Sequence, residues 1–380
     1  MADGDIGAPQ DTLEFDIADI TWPDIIHVAG DIYAIAYSNA SGHGDVVTVS
    51  IAANGQIGAG TISDLEFDAV AGYRPSIVHV SGEIFAIAYR GVDNDGFVVT
   101  INITAAGVIT TVTGGSLEFE AVSCHEPDMI KIPDGADVFA IVCRGDINQG
   151  IITTVRITDE GAISAIAKEQ AWANNIEAPR IIHVTGAIFA IVSLDGVLDG
   201  WVHTVRISAA GEIQSTVVDS LEYEPGQGAD PSICHIAEDI FAIAYRGAAD
   251  DGFVVTINIT AAGTISLVGG AAGLLEFETV LCTWPYIIHI GGGICAIAYG
   301  GDLYDGFLAT VQIDAAGQIT ALQTLEIDTD QGFYPRIIRV AGNIYAVAYQ
   351  GPGSDGFVST PTIVTPVTAR VQHLMIMGVG

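Results

Sequence analysis

Seven prolines stand at nearly equal intervals along the chain. Pro23, Pro75, Pro127, Pro179, Pro231, Pro285 and Pro335 are separated by 52, 52, 52, 52, 54 and 50 residues. A period of this length means that one supersecondary unit is copied, each copy burying its apolar face against the next. Each proline opens a short apolar run such as Ile25-Ile26-His27-Val28, and a second run follows, for example Ile32 to Tyr37. Seven residues beyond that run every repeat has a glycine: Gly44, Gly96, Gly150, Gly200, Gly252, Gly306 and Gly356. Five of these follow Asp, which reads as a hairpin turn. A third run (Phe97 to Ile103) leads through Ala105-Ala106-Gly107 to a fourth, which carries Leu13, Leu65, Leu117, Leu221, Leu275 or Leu325. Four β-branched and aromatic runs between Gly/Asp turns predict one antiparallel meander per repeat.

Seven such meanders predict an all-β fold, a seven-bladed β-propeller of four-stranded antiparallel blades. The chain resembles the β-propeller superfamily over residues 1–365, with 366–380 as a C-terminal extension. Its blade motif, Pro-x-Ile-Ile-His-Val…Ile-Tyr-Ala-Ile-Ala-Tyr…Asp-Gly-Phe-Val, is not the WD, kelch or Asp-box pattern. The resemblance therefore implies the fold and transfers no functional residues. Closure is legible too. Asp3-Gly4-Asp5-Ile6, leading to Leu13-Glu14-Phe15-Asp16, matches a fourth strand without its first three, whereas the seventh repeat has only three strands, ending near Val364. The N-terminus is expected to complete the last blade. In the second run, Ala34 and Ala36 alternate with Tyr33, Ile35 and Tyr37, so a small face can receive the bulky face of the neighbouring blade.

Charge narrows the partners. Acids outnumber bases 46 to 12, the net charge is −34, and Lys131 and Lys168 are the only lysines. Nucleic acids and anionic membranes are excluded, because both are held by Lys and Arg. No apolar run reaches the roughly 18 residues needed to span a bilayer, so membrane insertion is not expected. No leader peptide is visible after Met1; an extracellular or cell-surface location is favoured if one has been removed. A monomer is expected. Cys143, Cys234 and Cys295 stand where sister repeats carry Tyr, Ile and Tyr, and read as core residues. Cys124 and Cys282 each lie three residues before a repeat proline, and no disulfide is expected among the five cysteines.

Chain direction assigns the faces. With the first strand innermost, the short, uniform loops between strands one and two and between three and four share the bottom. The loops between strands two and three, and from each blade to the next, share the top. Ile84 to Gly107 and Ile240 to Gly263 match at 21 of 24 positions, and all three differences (Val92/Ala248, Asp93/Ala249, Asn94/Asp250) fall in a top loop. Varied loops on a copied scaffold are where binding resides.

Four groups are candidates. Trp22, Trp284 and Tyr334 immediately precede their prolines in consecutive blades, with Tyr73 and Phe333 close by; they are expected to cluster as a platform for sugar or protein. Arg74, Arg180 and Arg336 also lie beside repeat prolines, Pro75, Pro179 and Pro335. His27, His79, His183, His235 and His289, with Lys131 and Arg339 at the equivalent places, form an axial ring read as structural, because Lys and Arg oppose a metal cation. The loop acids Asp93/Asp95, Asp250/Asp251, Asp302/Asp305 and Asp355 suit turn geometry, with calcium as the alternative; no cofactor is expected. Enzymatic signatures are missing, and proximity among Glu126, Asp128 and Asp230 is expected by chance in so acidic a chain. The leading expectation is a non-enzymatic binding or adhesion module that engages carbohydrate or protein through its top loops. The alternatives are a polysaccharide lyase or glycoside hydrolase with an axial pocket, the lyase using the arginines with a ring histidine and a tyrosine, and a structural surface-array component.

Overall fold

The computed structural model describes residues 2–133, 135–171, 176–214 and 217–366. Of the C-terminal extension only Pro366 is among them. The described residues form seven antiparallel sheets; in six the strands pair in sequence order, and the seventh combines strands from both ends of the chain. Blade 1 runs Ile20–Ala29, Ile32–Asn39, Gly44–Ser50 and Ser63–Asp68. The first strands of the other blades are Tyr73–Ser81, His125–Lys131, Ile176–Thr185, Ala229–Ala237, Thr283–Gly291 and Phe333–Ala341. Each first strand touches that of the next blade, and the seventh touches the first. The molecule is a closed seven-bladed propeller.

Closure uses both ends of the chain. Thr12–Asp16 pairs with Gly356–Ser359, matching Leu13 to Val358, while Ile6 pairs with Ile363. A ring of threonines shows how completely the N-terminus replaces the missing strand. Thr48, Thr100, Thr154, Thr204 and Thr256 each donate from Oγ1 to the carbonyl of the next blade's turn glycine: Gly107, Gly161, Gly211, Gly263 and Gly317, at 2.6–2.7 Å. Thr310 donates to Gly4 at 2.8 Å, and Thr360 to Gly55 at 2.6 Å. Gly4 thus supplies the acceptor that a seventh 3–4 turn would have supplied.

The blade interfaces are packed as the alternation implies. Ala34 and Ala36 lie in one apolar cluster with Phe85, Ile87 and Tyr89 of blade 2. Ala346 and Ala348 receive Tyr33, Ile35 and Tyr37 of blade 1, which shuts the ring. Each large buried side chain contributes about 1.5–3 kcal/mol. Toward the top, Tyr37, Tyr89, Tyr245, Tyr299 and Tyr349 donate their hydroxyls across the interface to Asp16, Asp68, Glu224, Glu278 and Asp328.

Three expectations are corrected. First, the prolines do not open the inner strands. Each lies two or three residues inside its strand at a β-bulge, with the register shifting, for example, between Thr21 and Asp24 and between Phe333 and Arg336. A bulge releases the ladder from needing an amide that proline lacks. Second, the repeated Asp-Gly is not the hairpin turn. In blade 2 the turn residues with positive φ are Asp93 (57°) and Asn94 (69°), whereas Asp95 is extended and Gly96 starts the third strand. The glycine is needed for proximity: a Cβ on Gly96 would lie 2.7 Å from the Phe119 ring, and one on Gly44 2.2 Å from Phe67. Third, Cys124 and Cys143 form a disulfide, with their Cα atoms 5.3 Å apart. His125 pairs with Arg144, so the two cysteines are neighbours across the first and second strands of one blade. Their positions within the repeat unit differ, and comparing repeat columns conceals such a pairing. Cys234, Cys282 and Cys295 are free and buried.

One buried histidine couples the fold to pH. His203, on the third strand of blade 4, lies 2.7 Å (Nδ1) from Ser220 Oγ and stacks on Trp201. Burial lowers its pKa from 6.5 to about 4. The unfolded chain therefore takes up the proton first, and stability falls as pH drops below 6.5. Each unit is worth about 1.4 kcal/mol, so this residue is expected to cost on the order of 3 kcal/mol by about pH 4. Urea titrations of wild type and His203→Gln over that range check it; the variant should lack this component, and identical acid sensitivity would contradict it.

Candidate functional site

The seven bulges place one residue of each blade in the left-handed region. Trp22, Arg74, Glu126, Ala178, Asp230, Trp284 and Tyr334 have φ between 47° and 57°. Such a conformation costs on the order of 1–3 kcal/mol for a residue with a side chain and persists only where the surroundings impose it. All seven directly precede the repeat prolines at the top of the inner strands, so they form one circle around the axis. The residues that follow the prolines, Asp24, Ser76, Asp128, Arg180, Ser232, Tyr286 and Arg336, form the circle beneath it.

These two circles enclose an axial cavity of about 330 Å³. Its wall includes Trp22, Arg74 and the whole lower circle, and its floor is aliphatic, with Ile26, Ile130 and Ile233. Four members of the lower circle tie neighbouring blades together. Asp24 and Asp128 accept from the amides of Ile77 and Ile181 at 2.9 and 2.8 Å. Ser76 and Ser232 accept from Met129 and Ile287, both at 3.2 Å. The other three carry donor-rich or bulky groups. Arg336 lies with Cζ 4.6 Å from the centre of the Tyr286 ring and donates to its neighbour Pro335 O at 3.1 Å.

Dehydration dominates the electrostatics. Burial pushes the Asp24 carboxyl above its ordinary range against the pull of Arg336, and does the same to Asp128 against Arg180. Burial also lowers the Arg336 guanidinium from its usual value and raises the Tyr286 phenol to about 12.

The aromatic candidates do converge at the mouth. Trp22 and Tyr334 have ring centres 3.8 Å apart, Trp284 and Tyr334 4.3 Å, and Trp22 and Trp284 6.0 Å. The Arg74 guanidinium lies 3.6 Å from the centre of Trp22 and is paired with Glu126 at 2.6 Å. The rings thus stack on one another and on Arg74, a stiff wall in place of an open platform. Tyr73 stands apart, beneath Arg90 at 4.5 Å and against Gly42, and Phe333 packs on Tyr304 and Trp284. Opposite the aromatic side, where blade 4 has only Ala178, a second hollow of about 460 Å³ opens between blades 4 and 5, lined by Arg74, Glu126, Asp230 and Arg246. Its acids are engaged: Glu126 also accepts from the Ala178 amide, and Asp230 pairs with Arg246 at 3.2 Å.

The ring of histidines lies at the other end of the inner strands, three residues below the lower circle, or roughly 10 Å at strand rise. His27, His79, His183 and His235 place Nε2 2.8–3.0 Å from the carbonyls of Gly30, Gly82, Gly186 and Glu238, in their own 1–2 hairpins. Arg339 donates to Gly342 O in the same way, and Lys131 reaches Val80 O of the preceding blade. His289 Nε2 is buried without a partner among the described residues, and burial lowers its pKa. Each ring residue save Lys131 and His289 thus closes its own blade's hairpin. Among the described residues no three His, Cys, Asp or Glu side chains converge as metal ligands would.

Sequence reading missed Asp24, Ser76, Ser232 and Tyr286. The signal was present as a repeat column: the residue after each proline is polar or tyrosine in all seven blades, inside an otherwise apolar strand.

No family model and no curated protein matches the chain. Solved structures match by fold. A Bacteroides fragilis protein, provisionally assigned as a 6-phosphogluconolactonase, is similar at TM-score 0.59 and 13% identity, covering 92% of this chain and 97% of that one. BBS1N, in its complex with ARL6DN, is similar at TM-score 0.56 and 12% identity, over 97% and 99% of the two chains. A triple arginine-to-alanine variant of AofleA from Arthrobotrys oligospora gives TM-score 0.50 and 8% identity, over 84% and 93%. At these identities the likeness concerns the fold alone.

Proposed function

We propose that the protein is a carbohydrate-binding module whose top-face axial cavity takes the end of a glycan. One observation carries the reading: beneath the circle of seven strained backbone positions lies an axial cavity in which the Trp22 indole and the whole lower ring of hydrogen-bonding side chains share the wall. Sugars present hydroxyls along their edges and C–H groups on their faces. A guanidinium fork, carboxylates and hydroxyls suit the first, and an aromatic wall suits the second. The volume lies within the range that small ligands occupy, roughly 300–1,000 Å³.

Binding is preferred to the lyase and hydrolase alternatives for a geometric reason. The ring histidines sit at the far end of the inner strands, away from Arg180, Arg336 and Tyr286, and the cavity carboxylates already accept backbone amides. A protein ligand is the second reading, favoured by aliphatic side chains standing free on the top loops, among them Ile17, Ile147 and Leu303 at 83%, 75% and 77% exposure.

A glycan and polysaccharide binding screen, with a parallel ultraviolet assay for unsaturated uronide products, separates these readings. Binding without turnover is expected. Trp22→Ala should weaken the bound glycan by about 2 kcal/mol, some thirtyfold, as loss of a central aromatic does. Undiminished affinity in Trp22→Ala would move the site off the axis, and accumulating unsaturated product would make the protein a lyase.

A further inference from the structure

We propose that the axial cavity recognises an acidic sugar, whose carboxylate lies between Arg180 and Arg336. The inference rests on the carbohydrate reading and narrows it to one class of ligand.

The chain has few cations and surrounds them with acids, 46 against 12. Arg90, Arg144, Arg156 and Arg339 meet His125, Asn148, Ala136 O and Gly342 O, while the arginines around the cavity mouth find carboxylates: Arg74 meets Glu126, and Arg246 meets both Asp230 and Asp250. Arg180 and Arg336 do not. Among the described residues no carboxylate oxygen lies within 4.0 Å of either guanidinium, although Asp128 and Asp24 occupy the adjacent places in the same circle. Those two acids are turned instead toward the amides of Ile181 and Ile77.

The repeat shows that this is a departure with a consequence. At this position Asp and Ser clasp the next blade by accepting its amide, and a guanidinium, which only donates, cannot do so. Among the described residues blades 4, 6 and 7 show no such clasp, and in blades 4 and 7 a guanidinium lines the cavity in its place. Local departures from a structural rule gather at functional sites.

Net charge argues for the same fine-grained recognition. A surface of −34 repels an anion at a distance. Attraction must therefore be short-ranged, from paired N–H donors on half-buried side chains. Partial burial disfavours the charged forms here, lowering Arg336 and raising Asp24 and Asp128. Ser76, Ser232, Asp24 and Asp128 remain at hand for hydroxyls, and Trp22 for a ring face.

The test is calorimetric titration of the full chain with oligogalacturonate and oligoglucuronate, each beside its neutral galactose or glucose counterpart. The acidic members are expected to bind at least about tenfold more tightly than the neutral ones, one charge-assisted fork being worth that much. Arg180→Gln and Arg336→Gln should each cost the acidic ligand about tenfold or more beyond what they cost the neutral one, so that the preference for the acidic member falls. Arg336→Lys, which keeps the charge but loses the fork, should fall between. Thermal midpoints accompany every variant; if Arg336→Gln does not fold, Arg180→Gln decides. Neutral and acidic oligomers binding alike, or variants that leave the preference intact, overturn the acidic-sugar inference while the carbohydrate reading stands. If no glycan of either kind binds, the carbohydrate reading falls and takes this inference with it.

Discussion

A chain lacking residues 1–16 is expected to aggregate, or to unfold at a much lower temperature than the intact protein. The deletion removes the fourth strand of blade 7 and uncovers Gly356–Ser359 as an unpaired edge. It also takes away bonds to both neighbouring blades: Thr310 to Gly4 on one side, Tyr37 to Asp16 and Ile57 to Asp11 on the other. Ile6 and Phe15 are buried, and Leu13 packs against the same core as Phe15. With about 1.5–3 kcal/mol per large apolar side chain and about 1 kcal/mol per hydrogen bond, the loss is on the order of 10 kcal/mol. That is comparable to the whole stability of a typical domain, about 5–15 kcal/mol, and an open edge favours association. Size-exclusion chromatography and a thermal melt check it. A truncated chain that stayed monomeric with an unchanged midpoint would show that the ring does not depend on the clasp.

Gly332→Ala is expected to destabilise the protein by about 3 kcal/mol or more, at the upper end of what overpacking costs. Where the chain crosses from blade 6 into blade 7, Gly332 lies directly on Gly306, the start of the third strand. An added Cβ would be 2.3 Å from the Gly306 Cα and 2.7 Å from its nitrogen. The obstacle is backbone, so no rotamer change relieves it. The same crossing recurs as Gly72 on Gly44 and Gly228 on Gly200, which makes it part of the blade design. Cys124 and Cys282 occupy this place in blades 2 and 5, with Cβ atoms near 2.8 and 3.0 Å from a Cβ built on Gly96 or Gly252. Gly60→Ala is the control: nothing lies within 4 Å of its Cβ position, and restricting the unfolded chain should leave stability unchanged or slightly raised. Denaturant midpoints for the two variants decide the matter. Equal midpoints would mean that the crossing is looser than its geometry implies.

The fold was legible because a repeat states it seven times over. Proline spacing set the blade count, alternation at Tyr33 to Tyr37 set the packing faces, and the unmatched strand around Leu13 set the closure. The site was legible only in part. Trp22, Trp284, Tyr334, Arg74, Arg180 and Arg336 were singled out by their place beside the prolines, and all but Trp284 and Tyr334 line the axial cavity, with Trp284 in the hollow adjoining it. Tyr73 was singled out on the same ground and lies elsewhere.

Chain pattern by itself determined which surfaces are apolar, how many times the unit recurs and which end must complete which blade, since these follow from side-chain period and from the need to bury what is apolar. Tertiary structure decided what needs distances in space. It turned each proline from a strand start into a bulge, with the residue before it in left-handed backbone. It joined Cys124 to Cys143 across two strands, and turned a supposed Asp-Gly hairpin into a glycine flattened beneath an aromatic ring. It also left Arg180 and Arg336 without carboxylates while Arg74 and Arg246 found theirs. A one-dimensional pattern encodes direction along the strand and the face of the sheet. Which side chains of seven separate blades meet at one axis depends on ring closure, a property of all the blades at once.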